Sequence, residues 1–257
     1  MIRPLFALAA SLVLAACEQG FLPLGGRFEI GRDPMVIFVG GEATGGGDLY
    51  ALQADGGAAI PVTFSVVGEM RPALAPDGGQ VAFLRAGTLS DTLPASVWVL
   101  NLVSGAERQV ALPPGAGRPE QVGWSADGTR LVLGTSRGTY VAPALPGQGE
   151  ARALSGPARA AAESSLAVLL GNPVFARVVP CDDPADLCVV GDSGAPALLA
   201  TEASDAARWG DDSVAYLEAG RLVVRPVGPG HLRVIPWSRV PGRPRQLTVF
   251  PGATEPR

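Results

Sequence analysis

From residue 35 onward the chain alternates short apolar runs with clusters of Gly, Pro, Asp and Asn. Arg71–Arg85, RPALAPDGGQVAFLR, shows the pattern most clearly. An apolar run is followed by a Pro-Asp-Gly turn and a second apolar run, which predicts two strands joined tightly. Arg118–Ser136 (RPEQVGWSADGTRLVLGTS) and Asp205–Gly220 (DAARWGDDSVAYLEAG) are copies.

The remaining runs fit around these copies. Met35–Gly40 and Asp48–Gln53 are rich in β-branched and aromatic residues and predict strands. After a turn at 54–57, Ala59–Phe64 predicts another. Val81–Leu84 is apolar at every position, so it should lie between two layers. Strands are further predicted over Ser96–Leu102, Glu107–Leu112, Leu131–Gly134, Thr139–Leu145, Ala151–Leu154, Val174–Val179, Leu187–Gly191, Pro196–Thr201, Val214–Leu217, Arg221–Val227, His231–Trp237 and Gln246–Phe250. Residues 157–170 (PARAAAESSLAVLL) pull two ways: their Ala content suits a helix with Pro157 in its first turn, whereas the phase of the repeat places a strand there.

With the turn residues Asp33, Asp77, Asp127, Asn172 and Asp212 in register, the spacings are 44, 50, 45 and 40. Four strands per unit at this period predict an all-β fold, a β-propeller with four-stranded antiparallel blades. Five blades are expected, or six if Gln246–Phe250 and Phe28–Ile30 belong to an incomplete extra one; a terminal strand that completes a blade from the other end of the chain would close the ring. Two stacked sheets, or a long helix over 157–170 inserted in a mixed fold, would take down this ring and with it a scaffold role built on it. Leu74, Trp124 and Trp209 each lie three positions before the turn Asp, where a large side chain packs one blade on the next.

The turns also carry a resemblance. Trp124–Gly128 (WSADG) and Leu74–Gly78 (LAPDG) resemble the Trp-Ser-Pro-Asp-Gly turn of TolB-type propellers, a variant of the WD-repeat. The likeness covers most of residues 27–250 as architecture. The copy around Asp212 lacks the Gly, and those at Asp33 and Asn172 are degenerate. The resemblance implies Asp77, Gly78, Asp127, Gly128 and Asp212 as turn residues that hold the repeat. Nothing matches the separate α/β domain of TolB, so only the propeller carries over.

Residues 1–17, MIRPLFALAASLVLAAC, place Arg3 before an uncharged run too short to cross a bilayer. Leu14-Ala15-Ala16-Cys17 resembles the lipobox of bacterial lipoproteins. That resemblance implies a signal peptide over 1–16, lipidation of Cys17 and membrane anchoring through the attached chains. Residues 17–26 then read as a lipidated tether, 27–250 as the propeller and 251–257 as a tail. The implied address is the envelope, at the cell membrane or the outer membrane, periplasmic or surface-facing.

The chain of 257 residues is 47% hydrophobic, which is enough for a sizeable core. All 20 basic residues are Arg, the net charge is −4 and no basic block occurs, so nucleic acid is not an expected partner. Beyond Cys17 the remaining cysteines, Cys181 and Cys188, predict a disulfide in an oxidising compartment. Asp182, Asp183 and Asp186 lie between them and read as a solvated loop before they read as a calcium site.

Gly191–Pro196 (GDSGAP) is similar to the nucleophile segment of chymotrypsin-like proteases. Ser193 would need a base, and the single His, His231, lies downstream of it outside that family's context. A hairpin turn explains the same residues. No catalytic residue, metal or cofactor is assigned. The expected role is a non-catalytic binding scaffold with an envelope protein as partner, its contacts on the loops Gly40–Gly47, Arg85–Ala95 and Cys181–Cys188. The alternatives are a lyase or hydrolase of an envelope or extracellular polymer, using two loop carboxylates, and an assembly subunit of an envelope complex.

Overall fold

Each copy of the repeat folds as one antiparallel sheet whose strands follow each other outward. The computed structural model describes residues 24, 26–41, 47–86, 95–169, 178–183, 185–190, 194–210 and 212–253. β1 (Met35–Gly40), β2 (Asp48–Gln53), β3 (Gly57–Ala58) and β4 (Ile60–Pro61) come first. The second sheet is β5 (Glu69–Leu74), β6 (Gln80–Arg85), β7 (Ser96–Asn101) and β8 (Glu107–Val110). The third is β9 (Pro119–Trp124), β10 (Arg130–Thr135), β11 (Gly138–Pro143) and β12 (Arg152–Ala153). A helix, α1 (Gly156–Leu169), precedes β13 (Val178–Pro180), β14 (Leu187–Val190) and β15 (Pro196–Ala200). β16 (Ala203–Trp209), β17 (Ser213–Glu218), β18 (Arg221–Pro226) and β19 (Arg233–Ile235) form the fifth sheet, and β20 (Trp237–Ser238) and β21 (Arg245–Phe250) end the described chain.

β21 does not start a sixth blade. It pairs antiparallel with β1, so the first sheet reads β21-β1-β2-β4. The fold is a β-propeller, with five blades among the described residues. The strand from the C-terminal side supplies the inner edge of the blade that the N-terminal strands build, which removes an open edge. The first strands of the blades touch in the order β16, β21, β5, β9, and so form the inner ring.

The seams between blades are the core. Because strand side chains alternate between faces, each central strand feeds two seams. In β1, Ile37 and Val39 meet Phe83 and Leu100 of the second blade, while Val36 and Phe38 meet Leu217 and Leu222 of the fifth. Every residue of β1 is buried in consequence. Ala73, Leu84 and Val99 of the second blade pack on Val122, Trp124 and Leu133 of the third. Leu187 and Leu199 of the fourth pack on Val214 and Tyr216 of the fifth.

The fourth blade departs from the expected pattern. Where phase places its first strand, α1 forms, and the sheet keeps three strands among the described residues. Ala158, Ala160, Ala161 and Ala162 favour the helix, and 157–167 contains no β-branched residue. Arg159 and Glu163 bridge one turn of it at 2.6 Å. Ala162 packs on Val132, which alternates with the buried Leu131 and Leu133 and so faces away from the second blade. The helix therefore covers the face of the third blade that a neighbouring sheet covers elsewhere in the ring. The Asn172-Pro173 turn and Val174–Arg177 lie outside the described residues.

Several expected strands are shorter: Glu107–Leu112 is only Glu107–Val110, and Ala151–Leu154 only Arg152–Ala153. The strand expected over Ala59–Phe64 is only Ile60–Pro61, with Gly57–Ala58 pairing elsewhere. The run His231–Trp237 is divided, and β20 leaves the fifth sheet to pair in parallel with β3.

Candidate functional site

The inner strands share a defect. Opposite β6, the register of β5 shifts between Met70 and Ala73, and Arg71 between them has φ 52°. Opposite β17, β16 shifts between Ser204 and Ala207, with Asp205 at φ 55°. In β21, Gln246 has φ 53° where the pairing jumps from Arg245 to Thr248. In β9 the pairing jumps from Pro119 to Gln121, past the exposed Glu120. Each is a bulge, an extra residue that bends a strand and re-aims its side chains. A side chain held at positive φ is strained by roughly 1 kcal/mol or more and persists only where surroundings impose it. Here the ring imposes it: Gln246 Oε1 accepts from the Arg71 amide at 2.8 Å, and Thr248 Oγ1 accepts from the Leu74 amide at 3.2 Å. The entry ends of four inner strands thus carry Arg71, Glu120, Asp205 and Gln246.

Beside this ring, a polar network joins the first and second blades. Glu69 opens β5 and is 1% exposed. Its Oε1 accepts from Arg85 Nη2 at 2.6 Å and from Nε at 3.2 Å, and its Oε2 accepts from the Thr63 hydroxyl. Thr63 Oγ1 in turn accepts from the Leu49 amide at 2.9 Å. Arg85 crosses the Trp98 ring at 4.5 Å and reaches Glu107 at 3.0 Å. Burial pushes the Glu69 carboxyl up from its ordinary value, and Asp48 adds to that; Thr63 and Arg85 pull the other way. One guanidinium therefore links two carboxylates, but Glu69 is sealed from solvent, so the group clamps a seam instead of facing a substrate.

The repeat-turn residues stand at the opposite end of the inner strands. Asp77 Oδ1 accepts from the Gly79 amide at 2.9 Å. Asp127 Oδ1 accepts from the Ser125 hydroxyl at 2.5 Å and from both the amide and the hydroxyl of Thr129, at 3.0 and 2.9 Å. Those donors, Ser125 first, hold its carboxyl at about 2. Asp212 accepts from the Ser213 hydroxyl at 2.9 Å. Gly78 and Gly128 adopt φ 68° and 69°. Trp124 is 2% exposed and seats the third blade on the second.

Trp209 corrects the register argument. Leu74 and Trp124 pair with Val81 and Leu131, but the residue opposite the equivalent Val214 is Arg208. The turn after Trp209 is one residue shorter, and a shift of one residue turns a side chain to the other face. Trp209 consequently packs towards the first blade, under Arg233 at 5.5 Å, and not towards the fourth.

Cys181 and Cys188 form a disulfide with Cα atoms 5.2 Å apart. Of the carboxylates between them, Asp183 accepts from the Ala185 amide and Asp186 from the Glu202 amide, at 2.9 and 3.0 Å. His231 is exposed just before β19, while Gly191, Asp192 and Ser193 lie outside the described residues. So do the leader with Cys17, and 42–46 and 87–94 of the two long loops.

Comparison with solved structures finds similar chains, a β-propeller domain among them. TolB from Acinetobacter baumannii is 12% identical, with 84% of this chain and 66% of that one covered and a TM-score of 0.36. The β-propeller domain of the Trilobed protease from Pyrococcus furiosus, described as having an open velcro topology, is 12% identical over 79% of this chain and 67% of that one, with a TM-score of 0.37. The AtxE2 isopeptidase is 14% identical over 80% of this chain and 46% of that one, with a TM-score of 0.36. No family model matches the chain, and no curated protein matches it in sequence.

The bulged residues escaped the sequence reading because Arg71, Asp205 and Gln246 share no residue type. Pro72 gave no sign of it, because the residue before a proline is biased towards extended backbone and not towards the left-handed φ of Arg71. Glu69 and Arg85 carried only the sign of charged residues at strand ends.

Proposed function

We propose that this protein is an envelope lipoprotein, anchored through Cys17, whose propeller is a non-catalytic scaffold for a protein partner. One observation carries the reading: both ends of the described chain leave from the same end of the ring. Leu24 and Phe28 are buried in the seam that also holds Phe250, and the Ala253 amide donates to the Arg32 carbonyl at 3.1 Å. From Cys17 to Leu24 the chain spans at most about 24 Å. An anchor at Cys17 thus holds the turn end, with Asp77 and Asp127, near the membrane. The opposite end, with Arg71, Glu120, Asp205 and Gln246, is presented away from it. Phe64 and Val66 are 48% and 80% exposed just before β5 at that same end, apolar contacts of the kind a partner covers. The disulfide agrees with export to an oxidising compartment.

The test is photocrosslinking in intact cells, with a crosslinking residue at Arg71 or Asp205 and, as comparison, at Asp127. A discrete protein adduct from the first two positions is expected. Adducts from Asp127 alone would reverse the presented face, and lipid adducts from all three would remove the partner. Mass spectrometry of the N-terminal peptide tests the anchor separately, by the acyl mass on Cys17.

A further inference from the structure

The segment between the fifth and first blades builds a cleft of about 540 Å³, within the range of small-molecule sites. β20 is stitched to β3: the Gly57 amide donates to the Pro236 carbonyl at 2.8 Å and the Ala59 amide to the Ser238 carbonyl at 2.9 Å. Two residues after Arg239, the Pro241 carbonyl accepts from the Gly41 amide at 2.8 Å. Arg239 lies between these fastened points, and its backbone has φ 55°. A long charged side chain in that conformation is uncommon, and the attachments on both sides hold it there.

Arg239 lines this cleft, and so does Arg27 from the chain before β1. Among the described residues, neither guanidinium has a hydrogen-bond or ion-pair partner, and no carboxylate lines the cleft. Two permanent positive charges therefore share one concavity uncompensated, in a chain whose net charge is −4. The floor is apolar, from Ala58, Ile60 and Pro61. Tyr50 contributes a phenol whose ring stacks on Phe38 at a centroid distance of 5.9 Å. Burial, then the charge of Asp48, pushes that phenol's pKa up, so at neutral pH it remains a hydroxyl donor. Gly40 leaves the room the ring needs, since a Cβ there would lie 2.8 Å from Tyr50 and 2.9 Å from Pro241.

We infer that this cleft is a binding site for a small organic anion, an acid group carried on an apolar body. The guanidiniums of Arg27 and Arg239 take the acid group, the Tyr50 hydroxyl donates to it, and the Ala58–Pro61 edge receives the body. Charge-assisted contacts are the stronger hydrogen bonds, and in a cleft without competing carboxylates they select for charge.

The experiment is calorimetric titration of the full-length protein with naphthalene-1-sulfonate, and with naphthalene-1-sulfonamide as a neutral probe of the same shape. Saturable one-to-one binding of the sulfonate is expected, with the sulfonamide at least about tenfold weaker. Arg27→Gln and Arg239→Asn should each weaken the sulfonate about tenfold. Asn tolerates the backbone at 239, and Arg221→Gln, on the fifth blade, should change nothing. Thermal melts of each variant establish that it is folded. No saturable binding, equal binding of the two probes, or unchanged binding by the two folded cleft variants would each overturn the proposal.

Discussion

The indole Nε1–H of Trp124 donates to the main-chain carbonyl of Ala73 at 2.8 Å, from the inner strand of one blade to the inner strand of the blade before it. Among the described residues the second and third blades share no ladder, so their seam rests on side-chain packing, and this bond adds direction to it. Replacing Trp124 by Phe keeps an aromatic ring but strands the carbonyl, a loss of about 1–3 kcal/mol. Trp124→Ala also opens a cavity and should cost about 3–5 kcal/mol. Urea unfolding measures both; a Phe variant as stable as the wild type would mean that the hydrogen bond contributes nothing.

The two glycines of the repeat turn should not respond alike. Gly78 and Gly128 have nearly the same φ, 68° and 69°. A Cβ at Gly78 meets the Phe250 ring at 2.8 Å, whereas at Gly128 the nearest atom is Pro76 Cδ at 3.5 Å. Gly128→Ala should therefore lose only the conformational strain, about 1 kcal/mol. Gly78→Ala should lose more, because Phe250 belongs to the strand that closes the ring. Comparable melting temperatures for the two variants would refute the distinction.

Glu69 gives a pH dependence with a definite sign. Its folded pKa lies above the ordinary value of 4.5, because burial disfavours the charge. The contribution of this group to stability is thus full below the unfolded value and is lost as pH rises through the folded one. Glu69→Gln removes that dependence. Urea midpoints taken from about pH 4.5 to about pH 7.5 should fall less in the variant than in the wild type. Glu69→Ala should lose about 3–5 kcal/mol against the wild type at neutral pH, more than Gln, because Ala also leaves Arg85 and Thr63 without their acceptor. Parallel profiles for wild type and Gln would show that Glu69 titrates as an exposed carboxyl does.

The disulfide closes a short loop, with a sequence separation of 7. On the chain-entropy account, Cys181→Ser with Cys188→Ser should lower stability by about 2–3 kcal/mol. Reduction of the wild type should match the double variant in thermal melts. A midpoint unmoved by reductant would mean that the fourth blade melts apart from the rest.

Much of the architecture was legible without coordinates. Met35–Gly40 and Asp48–Gln53 are β1 and β2 to the residue, and Gln246–Phe250 misses β21 by one. These strands are readable because burial on alternating faces, and turn chemistry such as the Asp127 carboxylate over its own backbone, are properties of a few neighbouring residues. At the Ala-rich 157–167 only the reading by phase failed, for a complementary reason: phase is a property of the whole repeat, while helix propensity acts locally, and here the local preference prevailed.

Long-range closure decided the rest. That β21 belongs beside β1, that Trp209 turns to the first blade, and that Arg71, Asp205 and Gln246 take left-handed backbones all depend on residues far away in sequence. Arg71 and Gln246 are 175 positions apart, yet the amide of one is held by the side chain of the other. The cleft of Arg27 and Arg239 likewise joins residues before β1, Tyr50, the 58–61 edge and the 239–241 segment, which meet only once the ring is shut. Such contacts leave no trace in local pattern, because the free energy that fixes them comes from the assembled seams and not from any one strand.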